Sequence, residues 1–262
     1  MKIHPTAIVD PKAEFADDVE VQAFTLIGPH VKIGAGTCVG PHCVIEGRTV
    51  IGERNRIFSG AQIGILSQDL KHKAGLIGRV VIGNHNMIRE HVTISASTMT
   101  SYDDDHRITT VGNNCLFMAY SHVAHDCHVG DHVIMANCAS LSGHVEVESK
   151  AILGGLCGVH QECAVGTLAF VGGMARVVKD VPPYMIVDGN PGRCCGPNSV
   201  GLRRNGLDPA ARSRVKAMYK IMFRSDLNTT QALHEIEARI EDSDERTTFV
   251  EFVRKSIRGI IK

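Results

Sequence analysis

Large apolar residues recur at every sixth position along most of the chain, with polar or small residues between them. The first run of such heads is Ile3, Val9, Phe15, Val21, Ile27, Ile33, Val39, Ile45, Ile51, Ile57 and Ile63. A short run, Ile82, Ile88 and Ile94, follows. A third extends from Val111 through Phe117, Val123, Val129, Met135, Leu141, Val147, Leu153, Val159, Val165 and Val171 to Val177. Four residues after each head stands Ala, Val, Thr, Cys, Ser or Asn, and Gly often follows the head directly, as in Ile27-Gly28 and Val129-Gly130. A period of six fits neither the α-helix nor simple alternation, but it is the mark of a hexapeptide parallel β-helix. Each hexad supplies a short strand and a corner, and three hexads close one triangular coil. The large head fills the prism, the small residue fits near the corner, and stacked coils bury a core that no single coil could bury. The frame breaks between Ile63 and Ile82 and between Ile94 and Val111, so segments 64–81 and 95–110 are expected to be loops projecting from a prism that spans residues 1–190. Loops on a rigid scaffold are where function is often placed.

After Val177 the frame lapses into Asp180-Val181-Pro182-Pro183-Tyr184, a turn-rich exit. Residues 191–262 are expected to form a helical domain of three helices. Asp208-Pro209 places an N-cap before a first-turn proline, with Val215, Met218, Tyr219 and Met222 at helical spacing. Thr229 or Thr230 opens a second helix around Leu233, Ile236 and Ile240, and Phe249, Phe252, Val253 and Ile257 stripe a third. The fold class is mainly β, a parallel β-helix with a C-terminal α-helical domain.

Lys+Arg and Asp+Glu balance at 28 each, Trp is absent and aromatic residues make up 5%. With no global positive field and few stacking platforms, nucleic acid is not an expected partner. The charge is uneven, because residues 191–262 hold 14 basic and 9 acidic residues, so this region could attract an acidic partner. No basic leader precedes an apolar run and no stretch is long enough to span a membrane, which predicts a cytoplasmic protein. Cys43, Cys115, Cys127, Cys157 and Cys163 stand at small positions of hexads and read as reduced core residues. Cys194-Cys195 and the acidic run Asp103-Asp104-Asp105 read as loop and solvated turn.

Residues 122–132 concentrate His122, His125, Asp126, Cys127, His128, Asp131 and His132. None of the histidines falls on a head or a small position, so all should lie outside the prism. Because three hexads make a coil, positions 125, 143 and 161 stack, as do 126, 144 and 162, about 4.8 Å apart. His125 and Asp126 are thereby expected beside Gly143 and His144, then beside Gln161 and Glu162. His122, His125 and His128 are spaced by three, which alternates faces along a strand instead of converging, so no metal is expected.

Several stretches resemble one family closely: Gln68-Asp69-Leu70-Lys71, Ala124-His125-Asp126-Cys127, Ala139-Ser140-Leu141-Ser142-Gly143-His144-Val145, Gly158-Val159-His160-Gln161, Asp180-Val181-Pro182-Pro183-Tyr184 and Ser256-Ile257-Arg258-Gly259. They are similar to the UDP-N-acetylglucosamine O-acyltransferases that begin lipid A synthesis, members of the hexapeptide-repeat acyltransferases, over essentially the whole chain. The resemblance implies a left-handed β-helix and a homotrimer with sites between prisms. It implies transfer of a (3R)-3-hydroxyacyl group from acyl carrier protein to the sugar 3-hydroxyl, with no metal or organic cofactor. It implies His125 as general base, Asp126 as the group that orients it, and the Gly143 N–H as oxyanion donor. By the same resemblance Gln68, Asp69, Lys71, His122, His144, His160 and Gln161 belong to the substrate site, Asn198 and Arg204 contact the nucleotide, and Gly173 bounds the acyl pocket.

The chain departs from the family pattern in three places. Val200 and Asn205 stand where a Glu and an Arg occur in some members, and Ser95-Ala96-Ser97-Thr98 replaces a His-Arg-Gly-Thr pattern. Two other readings compete. The related sugar-nucleotide N-acyltransferase normally has an extra amino-terminal domain, for which hexads starting at Ile3 leave no room. A non-catalytic β-helical binding protein would not require the polar convergence at 125, 144 and 161.

Overall fold

The computed structural model describes residues 1–101 and 106–262, so Asp103 to Asp105 lie outside the described residues. Strands of mostly two residues wind into three sheets of 11, 9 and 8 strands, each built from every third strand in chain order except for the last two of the largest sheet. The pairing is parallel and in the expected register: Ile3 lies beside Val21, Val21 beside Val39, Val123 beside Leu141 and Leu141 beside Val159. Every head from Val21 to Val177 is buried in one continuous core. Ile3 is 39% exposed because the first coil has none beneath it.

Across the first break the paired residues are 31 apart, as for Glu53 and Asn84, and across the second 29, as for Asn84 and Asn113, against 18 within the uninterrupted repeat. Each break therefore interrupts one coil without disturbing the register of the next. The strands reach further than the six-residue frame predicts. Gln62–Ile65, Arg79–Ile82, Thr93–Ser95 and Thr109–Val111 take residues 64–65, 79–81, 95 and 109–110 from the expected loops. The physical reason is that these residues find a paired neighbour before the chain leaves the prism: Val80 and Val81 lie between Thr49 and Val50 on one side and Thr109 and Thr110 on the other.

Corners are made by single residues in the left-handed region. Asp126, His144 and Glu162 have φ of 59°, 60° and 61°. A non-glycine residue there costs roughly 1–2 kcal/mol, and hydrogen bonds between coils offset it. The His144 N–H donates to the His125 carbonyl and the Glu162 N–H to the Gly143 carbonyl, both at 3.1 Å. The small-position thiols also bridge coils, Cys43, Cys115 and Cys127 donating to the carbonyls of Phe58, Gly130 and Ser142 at 3.1 Å. Burial pushes the Cys127 thiol up to about 12, and all nine cysteines are free.

Past the repeat, Met185–Asp188 joins the largest sheet and pairs antiparallel with Arg193–Pro197. The division drawn at residue 190 thus falls inside a hairpin, whose polar, Gly- and Pro-rich turn conceals two short strands from a pattern reading. Four helices follow instead of three: α1 (Ser199–Arg204), α2 (Pro209–Phe223), α3 (Thr229–Arg239) and α4 (Asp244–Lys255). The extra one, α1, is a six-residue turn of helix with Gly201 inside it and too short for a periodic signal. Asp208 caps α2 by accepting the Ala211 N–H at 2.7 Å. Asn228 and Gln231 form a capping box that starts α3 at Thr229. The helices share a second core with Leu168, Tyr184 and Met185, which seats them on the prism. Among the described residues no helix is long and apolar enough to cross a membrane.

Candidate active site

The corner that carries Asp126, His144 and Glu162 assembles the histidine cluster. His125 precedes the corner and is half-buried. Its Nδ1–H donates to Asp126 Oδ2 at 2.8 Å, and the same oxygen accepts the Thr98 N–H at 3.1 Å. Asp126 is 4% exposed, and its own N–H donates to Thr109 Oγ1 at 2.9 Å. His144 stands edge-on to His125, ring centroids 5.2 Å apart, with its Nε2 3.8 Å from Asp126 Oδ2. With Nδ1–H committed to the carboxylate, the lone pair of the neutral His125 ring lies on Nε2.

The imidazole lies over Gly143. A Cβ at 143 would come within 2.5 Å of His125 Nε2, so a side chain there would displace the ring. Gly143 occupies the second place after a head, where Pro5, Pro11, Pro29 and Pro41 stand in other hexads. Proline has no N–H, so the backbone ladder between coils needs no donor at this place. The donors of Glu53 and Asn113, at the same place, go instead to a side chain of the next coil, which Gly143 does not meet. Accordingly, among the described residues the Gly143 N–H reaches no acceptor, and a donor is left free beside the imidazole.

The loop after Ile65 adds a carboxylate. The Lys71 N–H donates to Asp69 Oδ1 at 2.9 Å. That bond holds the Asp69 carboxyl below the usual carboxylate range, and the positive fields of His125, Lys71 and His144 lower it further. Gln68 and Lys71 are exposed on either side of it. His122 hydrogen-bonds Thr93 Oγ1 at 2.7 Å, and burial, then the field of His125, lower its pKa, favouring the neutral ring. His160 and Gln161 are exposed and continue the column one coil beyond Gly143, with His160 Nδ1 3.1 Å from the Gln161 carbonyl.

Among the described residues, the group able to approach a metal is His125, Asp126 and His144, whose ligand atoms lie within 4.8 Å of one another. Two of those atoms, His125 Nδ1 and Asp126 Oδ2, are already joined by a hydrogen bond and would have to separate to bind an ion. His122 and His128 lie on strands of different sheets and His125 lies in the turn between them. The three therefore do not alternate along one strand as their spacing suggested, because each hexad ends its strand after two residues.

Residues 180–261 match the family described as UDP N-acetylglucosamine O-acyltransferase, domain 2, and residues 108–143 match the bacterial transferase hexapeptide. The acyl-[acyl-carrier-protein]–UDP-N-acetylglucosamine O-acyltransferases of Herminiimonas arsenicoxydans and Syntrophobacter fumaroxidans are each 46% identical to the chain, over 99% of both sequences for the first and 100% of both for the second. The chain belongs to the UDP-N-acetylglucosamine O-acyltransferase family. Solved structures agree. LpxA from Acinetobacter baumannii superposes with a TM-score of 0.94 at 39% identity, covering 99% of both chains. The UDP-N-acetylglucosamine acyltransferase of Francisella novicida gives 0.94 at 38%, covering 99% of this chain and 93% of that one. The fold is the left-handed parallel β-helix of hexapeptide repeats followed by helices.

The remaining residues that the sequence pointed to, Gly173, Asn198 and Arg204, lie away from the histidine column. Gly173 is exposed, and a Cβ there would meet only the Gly155 carbonyl, at 3.4 Å, so local packing does not demand glycine. Asn198 is buried; its Oδ1 caps α1 by accepting the Gly201 N–H, and its Nδ2–H donates to the Leu168 carbonyl at 2.9 Å. Arg204 is exposed in the last turn of α1. Asn205 turns its amide back to the Gly201 carbonyl at 3.0 Å, and Val200 is exposed. The sequence reading missed Ser67, Thr93, Thr98 and Thr109, hydroxyl residues that hold the site from behind. Ser67 and Thr98, at the small positions of the Ile63 and Ile94 hexads, were the signals available.

Proposed function

We propose that the protein moves a (3R)-3-hydroxyacyl group from the thioester of acyl carrier protein to the 3-hydroxyl of UDP-N-acetylglucosamine, the first step of lipid A synthesis, with His125 as general base. The observation that carries this reading is the His125 imidazole, tied at Nδ1 to Asp126 and open at Nε2 above a glycine with a free N–H. His125 Nε2 takes the hydroxyl proton as the sugar oxygen bonds to the thioester carbon. Asp126 stabilises the resulting imidazolium, and the Gly143 N–H receives the carbonyl oxygen as it becomes an oxyanion. Collapse breaks the C–S bond, and the proton held by His125 passes to the departing thiolate. Atoms and charges balance without a cofactor.

Asp69, held as an anion, and Lys71 supply hydrogen-bonding groups suited to a sugar, with Gln68, His122, His144, His160 and Gln161 around them. Arg204 is a cation suited to phosphate, and Asn198 acts by fixing the α1 turn that presents it. The open space at Gly173 suits an acyl chain. A homotrimer fits the exposed apolar edge formed by Phe24, Tyr120, Leu156 and Met174, which runs along one corner of the prism. A cytoplasmic site of action, where the thioester donor is made, is part of the same reading.

The test is incubation of the protein with UDP-N-acetylglucosamine and a panel of acyl-carrier thioesters, read by mass spectrometry. His125→Ala is expected to lose about 10²–10⁴-fold in turnover while eluting as the same oligomer. Near-normal turnover by that variant would remove His125 from the mechanism.

A further inference from the structure

Three consecutive residues in the second loop grip the first. The Arg79 N–H donates to Ser97 Oγ at 2.9 Å and the Ser97 N–H to the Arg79 carbonyl at 3.2 Å. Thr98 Oγ1 lies 2.5 Å from Ser67 Oγ. The Met99 N–H donates to His72 Nδ1 at 3.1 Å, and the Lys73 N–H donates to the Met99 carbonyl at 3.0 Å. Ser97, Thr98, Met99 and Ser67 are all buried. The loop that carries Asp69 and Lys71 is therefore not a free flap but a segment docked on a fixed rail.

Thr98 alone of the three also reaches the catalytic pair. Its N–H donates to Asp126 Oδ2, the oxygen that accepts His125 Nδ1–H. On the loop side the Asp69 N–H donates to Ser67 Oγ at 3.2 Å. A continuous polar path results, from Asp69 through Ser67 and Thr98 to Asp126 and His125. The far oxygen of the carboxylate gives no competing hold: Asp126 Oδ1 is buried with no hydrogen-bond partner among the described residues. The orientation of the carboxylate is then set at Oδ2, by Thr98 on one side and His125 on the other.

We propose that Thr98 is a positioning residue, clasped by Ser67, that couples the seating of the acceptor loop to the orientation of the Asp126–His125 pair. The proposal rests on the acyl-transfer reading. A loop seated on the rail keeps the Thr98 N–H aimed at Asp126 and so keeps His125 Nε2 over Gly143. A loop lifted from it frees the Thr98 backbone to move, and the carboxylate with it. Substrate contacts at Asp69 and Lys71 pull on the same link, so acceptor binding and base geometry tighten together.

The experiment compares wild type, Thr98→Val, Thr98→Ser, Ser67→Ala and the Ser67→Ala/Thr98→Val double variant. Two quantities are measured: kcat and KM for UDP-N-acetylglucosamine with an acyl-carrier thioester, and the rate of tryptic nicking after Lys71 and Lys73. Thr98→Val keeps the side-chain volume and the backbone N–H but loses the hydroxyl, and is expected to lower kcat about tenfold, the worth of one well-placed hydrogen bond, with a smaller rise in KM. Ser67→Ala is expected to match that loss in kcat and, because it also removes the acceptor of the Asp69 N–H, to raise KM further. The double variant should be no worse in kcat than either single one, since all three cut the same link. Nicking should quicken in these three, and Thr98→Ser should restore both readouts. Wild-type kcat and wild-type nicking in Thr98→Val, or single losses that multiply in the double variant, would overturn the clasp. A wild-type protein that transfers nothing to UDP-N-acetylglucosamine would instead sink the acyl-transfer reading, and the nicking rates would still decide whether the link exists.

Discussion

At the scale of single residues, the site depends on an imidazole supported from behind and an open space beneath it. Gly143 has an ordinary backbone conformation there, so its requirement is steric. Gly143→Ala drives a methyl group into the His125 ring. The expected result is a loss in kcat of about 10²–10³, comparable to removing an oxyanion donor, with a melting temperature close to wild type; turnover and thermal unfolding measured on the same preparation check it. The neighbours of His125 could be placed from sequence because Gly143 and His144 lie one coil away, and an 18-residue step converts position into proximity. Thr98 and Ser67 could not be placed that way. They stack only across the first break, where the coil lengthens to 31 residues by an amount no period sets, and a threonine at a small hexad position looks the same whether or not it holds a carboxylate.

At the scale of elements, corners and loops are joined by polar ladders that the apolar pattern does not record. Asn55 and Asn86 run such a ladder through the first break: Asn55 Oδ1 accepts the Asn86 N–H at 2.9 Å, and Asn86 Oδ1 accepts the Cys115 N–H at 2.8 Å. Glu148 serves a similar purpose near the helical seat by accepting the Thr167 N–H at 2.7 Å. Burial raises its pKa, and Glu146 raises it further, while the Thr167 bond and Lys255 oppose the shift. A raised carboxyl contributes stability that is fully present below its unfolded pKa of 4.5 and is lost as pH rises through the folded value. Glu148→Gln keeps an acceptor for Thr167 without that loss. The variant should therefore melt higher than wild type at about pH 8 and lose that advantage at about pH 4, as scanning calorimetry at the two pH values would reveal. The short helix α1 and the hairpin before it were hidden for a related reason. Their residues are held by caps and by the prism end, not by an apolar stripe of their own.

For the whole molecule, α2 presents Arg212, Lys216 and Lys220 at four-residue spacing on a helix that contains no acidic residue. Lys216 and Lys220 are exposed, whereas Arg214, on another face, is consumed by Glu241 and Glu245. This stripe suits an acidic carrier. Lys216→Glu/Lys220→Glu is expected to raise KM for the acyl-carrier thioester about tenfold and flatten its salt dependence, leaving turnover of a small pantetheine thioester unchanged; initial rates across a salt series measure both. The prism, its register and the outward histidine column were legible in the sequence, because a six-residue repeat leaves one way to bury its heads and stacks distant residues by arithmetic. The narrower loops, the hairpin across residue 190, the Ser97–Met99 rail and the cap made by Asn198 were not. Each depends on where a non-repeating backbone comes to rest against the prism, and that is settled by hydrogen bonds between segments far apart in the chain, which leave no period behind.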